Sequence, residues 1–287
     1  MLHERFTLSE DGTVYMDTYI HTQSGEKPSQ MEPWRPIKRP HDYWQVQKRP
    51  AIIVLPGGAY KELSDREGEP VALTFLKEGF NTFVLYYSIG EASAYPQPLE
   101  DISKAIWLVR QHAQEWAIDE HAITVMGFSA GAHLATLAAT QWNTRGLHER
   151  LGIPAQGNKP DAAVVGYGPV MRENTDENLD SLQVGAMIAN PVPEFETYRY
   201  VDDETCPMFL WHTWHDPLVP SLNALKMAGA LCRRQINYEL HIFNRGTHGM
   251  SVCNDLSDYE APLDVCPPNA ATWVAMCAQW IKELFYV

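Results

Sequence analysis

The sequence TVMGFSAGAHL at residues 124–134 decides the fold. An apolar run ends at Met126, and a Gly-x-Ser-x-Gly motif centred on Ser129 leads into a run of small residues. The pattern predicts a buried strand, a sharp turn with the serine at its apex, and a helix directly after it. Gly127 and Gly131 flank the serine for a physical reason, because strand and helix pass very close together beside such a turn. The segment is therefore predicted to be a nucleophile elbow, which lifts a serine hydroxyl clear of the sheet.

Predicted strands and helices alternate over most of the chain. Apolar runs and alternating patterns predict strands at 13–22, 51–55, 82–87, 162–167, 209–212 and 238–243. Helices are predicted at 69–78, 98–116, 130–139, 221–232 and 273–284. Ser221 is the expected N-cap of the helix at 221–232. This alternation predicts an α/β fold, with one domain over residues 1–287 and a doubly wound, mostly parallel sheet.

Two segments lack a clear period. Residues 23–49 are polar and contain prolines, and we interpret them as a loop or a short hairpin. Residues 170–205 are predicted to be a small insertion or cap over the site, because folds of this class place substrate-binding loops there.

Composition narrows the classes of partner and compartment. The net charge of −14 argues against nucleic acid or an anionic membrane surface as a partner. No run approaches the roughly 18 apolar residues of a membrane span, and the first residues lack the apolar core of a secretory signal. The five cysteines are odd in number and lack a Cys-x-x-Cys pair, as expected for reduced thiols. We therefore expect a cytoplasmic protein, and a homo-oligomer remains open.

A serine nucleophile needs a base to accept its proton and a carboxylate to orient that base. Asp216 follows the strand at 209–212 in a turn bounded by prolines, and His248 follows the strand at 238–243 between two glycines. Both lie where strands end, in the order serine, acid, histidine. The alternatives are a turn aspartate that bonds its own backbone and a surface histidine. His133, on the helix after the serine, is expected to be structural.

The reaction also needs N–H donors for the oxyanion. The sequence PGGAY at 56–60 ends an early strand, and its glycines allow the backbone to approach a substrate. We predict donors at Gly58 and Ala59, together with Ala130 directly after the serine. The alternative is an ordinary Gly-Gly turn. A phosphate loop is excluded because no Gly-Lys-Ser/Thr follows.

No metal or cofactor is expected. His212 and His215 lie three residues apart at a strand end, so they are not expected to face the same way, and no clustered third ligand is evident.

Four motifs together resemble the α/β-hydrolase esterases, and most closely the acetyl-esterase or acetylxylan-esterase-like branch related to the hormone-sensitive-lipase group. They are LPGGAY (55–60), GFSAGAHL (127–134), HTWHDPLVP (212–220) and GTHG (246–249). The resemblance covers about residues 51–284. It implies Ser129 as nucleophile, Asp216 as acid, His248 as base, and hydrolysis of short acyl esters, often acetyl groups on plant-derived oligosaccharides.

The chain departs from the family pattern at the oxyanion motif. Pro56 replaces the first histidine of His-Gly-Gly-Gly, and Ala59 replaces its last glycine. The proline makes this motif less similar to that of the kynurenine formamidases, which keep the histidine. Tyr60 and Trp214 are candidates to stack on sugar faces, as are Trp211 and Tyr167; the alternative is that they are core or wall residues. The rival functions are an amidase or formamidase with the same three residues, a peptidase of this fold, and a non-catalytic binding protein.

Overall fold

The computed structural model describes residues 1–21, 48–172, 184–254, 256–257 and 267–286. Within these residues the strands are β1 (Arg5–Thr7), β2 (Tyr15–Tyr19), β3 (Arg49–Leu55), β4 (Asn81–Tyr86), β5 (Ile118–Phe128), β6 (Ala162–Gly166), β7 (Met208–Thr213) and β8 (Tyr238–Phe243). They form one sheet in the order β1-β2-β4-β3-β5-β6-β7-β8. The loop or hairpin predicted for 23–49 lies outside the described residues, except for Lys48 and Arg49, and Arg49 is the first residue of β3.

The sheet is parallel from β4 to β8 and antiparallel only at the edge formed by β1 and β2. At its centre, Ile53 of β3 pairs with Phe83 of β4 and with Val125 of β5. Parallel neighbours need crossover connections, and helices supply most of them here. The sheet therefore confirms the predicted α/β-hydrolase fold with a doubly wound, mostly parallel sheet.

Helices cover both faces of the sheet. The described α-helices are α1 (Glu69–Lys77), α2 (Gln97–Gln111), α3 (Ala130–Gln141), α4 (Leu147–Leu151), α5 (Ala186–Ala189), α6 (Leu222–Arg233), α7 (Pro268–Ala271) and α8 (Trp273–Tyr286). Ile53 packs in a core that includes residues of α2, α3 and α6, whereas its neighbours Ile52 and Val54 pack with residues of α1 and α8. Successive residues of a strand point to opposite faces, which gives the chain two apolar layers around one sheet.

Most predicted elements lie within a few residues of their observed bounds, but the helix predicted at 98–116 ends at Gln111, and α4, α5 and α7 were not predicted. β1 was not predicted, because its three residues carry no apolar run. β5 begins at Ile118, five residues before the apolar run at 123–126. Ser221 occupies the N-cap position of α6, as predicted, but its side chain makes no capping hydrogen bond.

Residues 170–172 and 184–205 of the segment predicted as an insertion are described. They contain α5 and two short 3-10 turns, Pro193–Phe195 and Thr197–Tyr200. The N–H of Gly185 donates to the carbonyl of Ala59 at 2.9 Å, so this segment contacts the loop after β3. Residues 173–183 lie outside the described part of the chain, and the role of the segment as a cap remains a prediction.

Candidate active site

Ser129 lies at the turn between β5 and α3 in a backbone conformation that non-glycine residues rarely adopt, with φ 51° and ψ −119°. Its N–H donates to Gly166 of the neighbouring strand at 3.0 Å, and its carbonyl accepts the N–H of His133 at 3.1 Å. The strain of a left-handed residue persists only where surrounding bonds hold it, and such residues cluster at functional sites.

The two glycines of the motif create the space for this turn. A Cβ on Gly127 would overlap the backbone of Gly131, and a Cβ on Gly131 would overlap the carbonyl oxygens of Leu55 and Pro56. The sequence argument from close approach of strand and helix therefore agrees with the observed packing.

The structure brings the three residues predicted as nucleophile, base and acid into one hydrogen-bonded chain. His248 Nε2 lies 2.8 Å from Ser129 Oγ, and His248 Nδ1 lies 2.8 Å from Asp216 Oδ2. The three residues come from the ends of β5, β7 and β8, so the order of the parallel strands brings them together. His248 lies between Gly246 and Gly249, both of which adopt positive φ.

Asp216 is buried, and each of its carboxylate oxygens accepts at least one hydrogen bond. Its Oδ1 accepts the backbone N–H groups of Leu218 and Val219, each at 2.9 Å. Its Oδ2 faces His248 and also lies 3.5 Å from Nε2 of the buried His212. Desolvation alone would raise the pKa of Asp216, but the interactions with His212, His248 and the backbone outweigh it, and the pKa falls well below its usual range.

The predicted oxyanion donors lie on a sharply turned backbone. Gly58, Ala59 and Tyr60 are three consecutive residues with φ of 124°, 54° and 57°. Among the described residues, no acceptor bonds the backbone N–H of Gly58, Ala59 or Ala130. Ala130 is the first residue of α3, where a helix leaves N–H groups free and carries partial positive charge.

Tyr60 does not lie where the sequence interpretation put it. Its side chain is fully buried, and its hydroxyl bonds His133 Nδ1 at 2.8 Å. His133 Nε2 lies 3.0 Å from the carbonyl oxygen of Phe195, which can only accept, so Nδ1 is the unprotonated nitrogen and the tyrosine donates to it. Burial leaves Tyr60 no exposed surface for the predicted contact with substrate: the ring lies in the core, and its hydroxyl ties the loop after β3 to α3.

Burial lowers the pKa of His133 to about 4, with the bond to Phe195 acting in the opposite direction. The imidazole is therefore neutral at physiological pH. This agrees with the structural role expected for His133.

The other candidate aromatic residues divide by exposure. Trp214, at the end of β7, has 64% of its surface exposed, so its ring is free to contact a ligand. Trp211 and Tyr167 are buried and contact each other edge-to-face at 4.9 Å.

His212 is buried whereas His215 is exposed. No group of three potential metal-ligating side chains occurs within the described ranges.

Within the described part of the chain, no helix combines the length and apolarity that a membrane span needs. Among the cysteines that the structure describes, Cys206, Cys232 and Cys277 are free thiols.

A sequence model of the family BD-FAE matches residues 42–231, more than half of the chain and a region that contains both Ser129 and Asp216. The chain belongs to the BD-FAE family. This confirms the resemblance to α/β-hydrolases of the acetyl-esterase and acetylxylan-esterase kind.

Known relatives of this BD-FAE protein include carbohydrate-directed enzymes and esterases. It is 35% identical over 215 residues to endo-1,4-beta-xylanase B of Butyrivibrio fibrisolvens, covering 72% of this chain and 33% of that protein. It is 28% identical over 219 residues to esterase LipQ of Mycobacterium tuberculosis, covering 72% of this chain and 50% of that protein. The chain thus spans a third to a half of the length of these curated relatives.

A solved structure resembles nearly the whole BD-FAE chain. The acetyl ester-xyloside bifunctional hydrolase of Caldicellulosiruptor lactoaceticus superimposes with a TM-score of 0.72 at 29% identity, covering 96% of this chain and 89% of that one.

Sequence reasoning missed three side chains around the site of this BD-FAE protein. His212 contacts Asp216, Glu67 accepts the N–H of Gly57, and the Tyr167 hydroxyl bonds Glu67. From the sequence alone, we considered His212 only as a metal ligand and Tyr167 only as a residue that stacks on sugars or lies in the core or wall. Glu67 had no signal in the sequence, because a glutamate in a polar turn gives no indication that its side chain points inward.

Proposed function

We propose that the chain is a serine carboxylesterase that hydrolyses short-chain acyl esters, and acetyl esters above all. Xylo-oligosaccharides or related sugars supply the alcohol. The observation that carries the proposal is the unbroken hydrogen-bonded chain from Asp216 through His248 to Ser129. A serine in a strained turn, with an imidazole on its hydroxyl and a carboxylate on that imidazole, is the arrangement that acyl transfer requires.

In the first step, His248 acts as the general base. Ionised Asp216 can only accept a hydrogen bond, so Nδ1 of His248 carries the imidazole proton. The lone pair on Nε2 then faces the Ser129 hydroxyl. Ser129 Oγ attacks the ester carbonyl carbon as its proton passes to Nε2. The depressed pKa of Asp216 keeps the carboxylate charged, which stabilises the imidazolium that forms.

The negative charge on the carbonyl oxygen is stabilised by N–H groups. Ala130, at the start of α3, and Gly58 and Ala59, on the loop after β3, are the proposed donors. Their N–H groups are free of protein acceptors among the described residues and need no bond broken before they bind the oxyanion.

Collapse of the tetrahedral intermediate expels the alcohol, which takes the proton from His248 Nε2, and leaves an acyl group on Ser129. Water then attacks the acyl-enzyme with His248 again as base, and acetate and free serine are the products.

Acetylated sugar as substrate is supported by two kinds of observation. The relatives include a xylanase and an acetyl ester-xyloside hydrolase by name. Trp214 is an exposed aromatic residue two positions from Asp216, where a sugar ring can stack. The runner-up is an amidase or formamidase, which would use the same three residues, and a less favoured alternative is a hydrolase homologue that only binds its ligand.

The test is a substrate panel with Ser129→Ala as control. It comprises nitrophenyl acetate, butyrate and octanoate, acetylated xylo-oligosaccharides, and a matched nitroanilide and formyl-amide. We expect acetate to be the preferred acyl group, acetate release from the sugars, and loss of essentially all turnover in Ser129→Ala with the fold retained. Faster cleavage of the amides would favour the amidase, and near-normal ester hydrolysis by Ser129→Ala would end the assignment.

A further inference from the structure

Glu67 is a buried carboxylate for which the proposed mechanism has no use. It ends a short 3-10 turn, Asp65–Glu67, and only 3% of its surface is exposed. Its two oxygens accept different donors: Oε2 accepts the N–H of Gly57 and Oε1 accepts the hydroxyl of Tyr167, each at 2.7 Å. A buried carboxylate is costly unless it is hydrogen-bonded, and these two bonds give it a defined position.

The first bond holds the backbone that leads into the proposed oxyanion donors. The peptide unit between Pro56 and Gly57 is fixed at both ends, because its N–H donates to Glu67 and its carbonyl accepts the Tyr87 hydroxyl at 2.5 Å. Gly57 also packs tightly between Glu67 and Ser129: a Cβ on Gly57 would lie 2.5 Å from Glu67 Oε2 and 2.9 Å from Ser129 Cβ. This fixed peptide anchors the start of the turn whose next residues, Gly58 and Ala59, carry the proposed N–H donors.

The second bond leads to the loop that carries His248. Burial raises the pKa of Tyr167 far above its usual range, and the charge of Glu67 adds to the effect, so the hydroxyl stays protonated and donates to the carboxylate. The same hydroxyl oxygen accepts the N–H of Ser251 at 2.9 Å. The Tyr167 ring lies edge-on to the His248 imidazole, with centroids 5.0 Å apart at 65°.

We propose that Glu67 and Tyr167 form a positioning bridge between the oxyanion loop and the histidine loop. The bridge runs from the Gly57 N–H through Glu67 and the Tyr167 hydroxyl to the Ser251 N–H. It holds the oxyanion donors and the general base at a fixed separation across Ser129. This inference rests on the proposed function, and it concerns two residues that touch neither the substrate nor the reacting atoms.

Positioning groups act on the transition state more than on the ground state, so their loss lowers kcat and leaves KM nearly unchanged. Tyr167→Phe keeps the ring against His248 and removes only the hydroxyl. We expect kcat for nitrophenyl acetate to fall about tenfold with KM changed less than about twofold. The inhibition constant of phenylboronic acid, which forms a tetrahedral adduct with a serine, is expected to rise by a similar factor.

Tyr19→Phe is the matched control. Tyr19 also bonds a carboxylate through its hydroxyl, that of Glu69 at 3.3 Å, but it lies on β2, the second strand from the antiparallel edge of the sheet. All three constants are expected to stay within about twofold of wild type in this variant. Changes in Tyr167→Phe no larger than those in Tyr19→Phe would overturn the bridge.

A double-mutant cycle tests whether the two residues act together. Glu67→Gln keeps the volume but removes the charge and one acceptor, so one of the two bonds to the carboxylate is lost or reversed in direction. The double variant Glu67→Gln/Tyr167→Phe is expected to have the same kcat as the less active of the two single variants, because either change alone disrupts the bridge. Losses that multiply would show independent roles and refute the bridge.

Two further variants keep the outcomes separable. If a thermal unfolding curve shows that Glu67→Gln does not fold, Tyr87→Phe is used in its place. Tyr87→Phe removes the hydrogen bond to the carbonyl of the same Pro56–Gly57 peptide and is expected to lower kcat with unchanged KM. Ser129→Ala in the same assay tests the proposed function separately. Loss of turnover in Ser129→Ala beside an unaffected Tyr167→Phe would reject the bridge alone, whereas an active Ser129→Ala would reject the esterase.

Discussion

The buried His212 places its Nε2 3.5 Å from Oδ2 of Asp216, the same oxygen that bonds His248. Its Nε2 proton is directed to the carbonyl of Val219 at 2.7 Å, so His212 also holds the turn that presents Asp216. One carboxylate is thus fixed by two histidines and by the backbone N–H groups of its own turn. This arrangement restricts Asp216 to one orientation and keeps it ionised.

The first prediction follows from that orientation. Asp216→Asn keeps the shape of the side chain but removes the charge that stabilises the imidazolium and selects the Nδ1-protonated form of His248. We expect kcat for nitrophenyl acetate to fall about 10³–10⁴-fold, as such a change does where an aspartate orients a catalytic histidine. Steady-state kinetics with far-UV circular dichroism as the folding control provide the measurement. Activity within tenfold of wild type would remove Asp216 from the proposed mechanism.

The second prediction concerns stability in mild acid. The pKa of buried His133 is about 4 in the folded chain and about 6.5 when unfolded. Below about pH 6.5 the unfolded chain binds a proton that the folded chain does not, so folding stability is full above that pH and falls towards pH 4. The linkage amounts to about 3 kcal/mol over this interval.

Urea unfolding between pH 7.5 and pH 4 checks this. His133→Gln is expected to be less stable at pH 7.5, because it disturbs the bonds to Tyr60 and Phe195, but to lose less stability on acidification than wild type does. Stability curves of wild type and variant that run parallel across this range would contradict the assignment to His133.

The sequence predicted the fold well where burial determines residue type. β3, β4 and the elbow strand are continuous apolar runs because both faces of a parallel sheet are covered, and such runs are readable without neighbours. The candidate positions of Ser129, Asp216 and His248 were also readable, because each follows a strand and lies beside glycine or proline. Their meeting depends on strand order, which the α/β pattern restricts to few arrangements.

The direction of a side chain in a loop was not readable. The position of Tyr60 after the two glycines fits either a wall residue or a residue that contacts a ligand. Only the fold shows that its side chain turns inward to His133. Glu67 lies in a polar turn with Asp65 and Arg66, and nothing local distinguishes the one carboxylate that is buried. Such contacts join residues far apart in the chain, so no local pattern contains them.

The third prediction tests the close approach at the elbow. Gly131→Ala would drive a methyl group into the carbonyl oxygens of Leu55 and Pro56, which are backbone atoms with little freedom to move. We expect the free energy of unfolding to fall by at least about 2 kcal/mol, with loss of ester hydrolysis, because the displaced backbone leads into the oxyanion loop.

Gly229→Ala is the control for this change. Gly229 lies inside α6, where, of the residues that the structure describes, an added Cβ would meet only the Arg233 side chain at 3.6 Å. Alanine favours helix over glycine, so this variant is expected to be as stable as wild type or up to about 1 kcal/mol more stable, with full activity. Equal stability of the two variants in urea would refute the steric argument.

The last prediction concerns Trp214, the exposed aromatic residue beside the site. Its backbone N–H donates to Phe243 at 2.8 Å, so the residue is anchored at the ends of β7 and β8 although its ring is in solvent. A stacked sugar would gain about 1 kcal/mol from this ring, and the small nitrophenyl acetate would gain little. Trp214→Ala is therefore expected to raise KM for acetylated xylo-oligosaccharides about fivefold and to leave KM for nitrophenyl acetate within about twofold. Tyr286→Ala removes another exposed aromatic ring, on α8, and should change neither value. An equal rise of KM for both substrates in Trp214→Ala, or no rise for the sugar, would show that Trp214 does not recognise the carbohydrate.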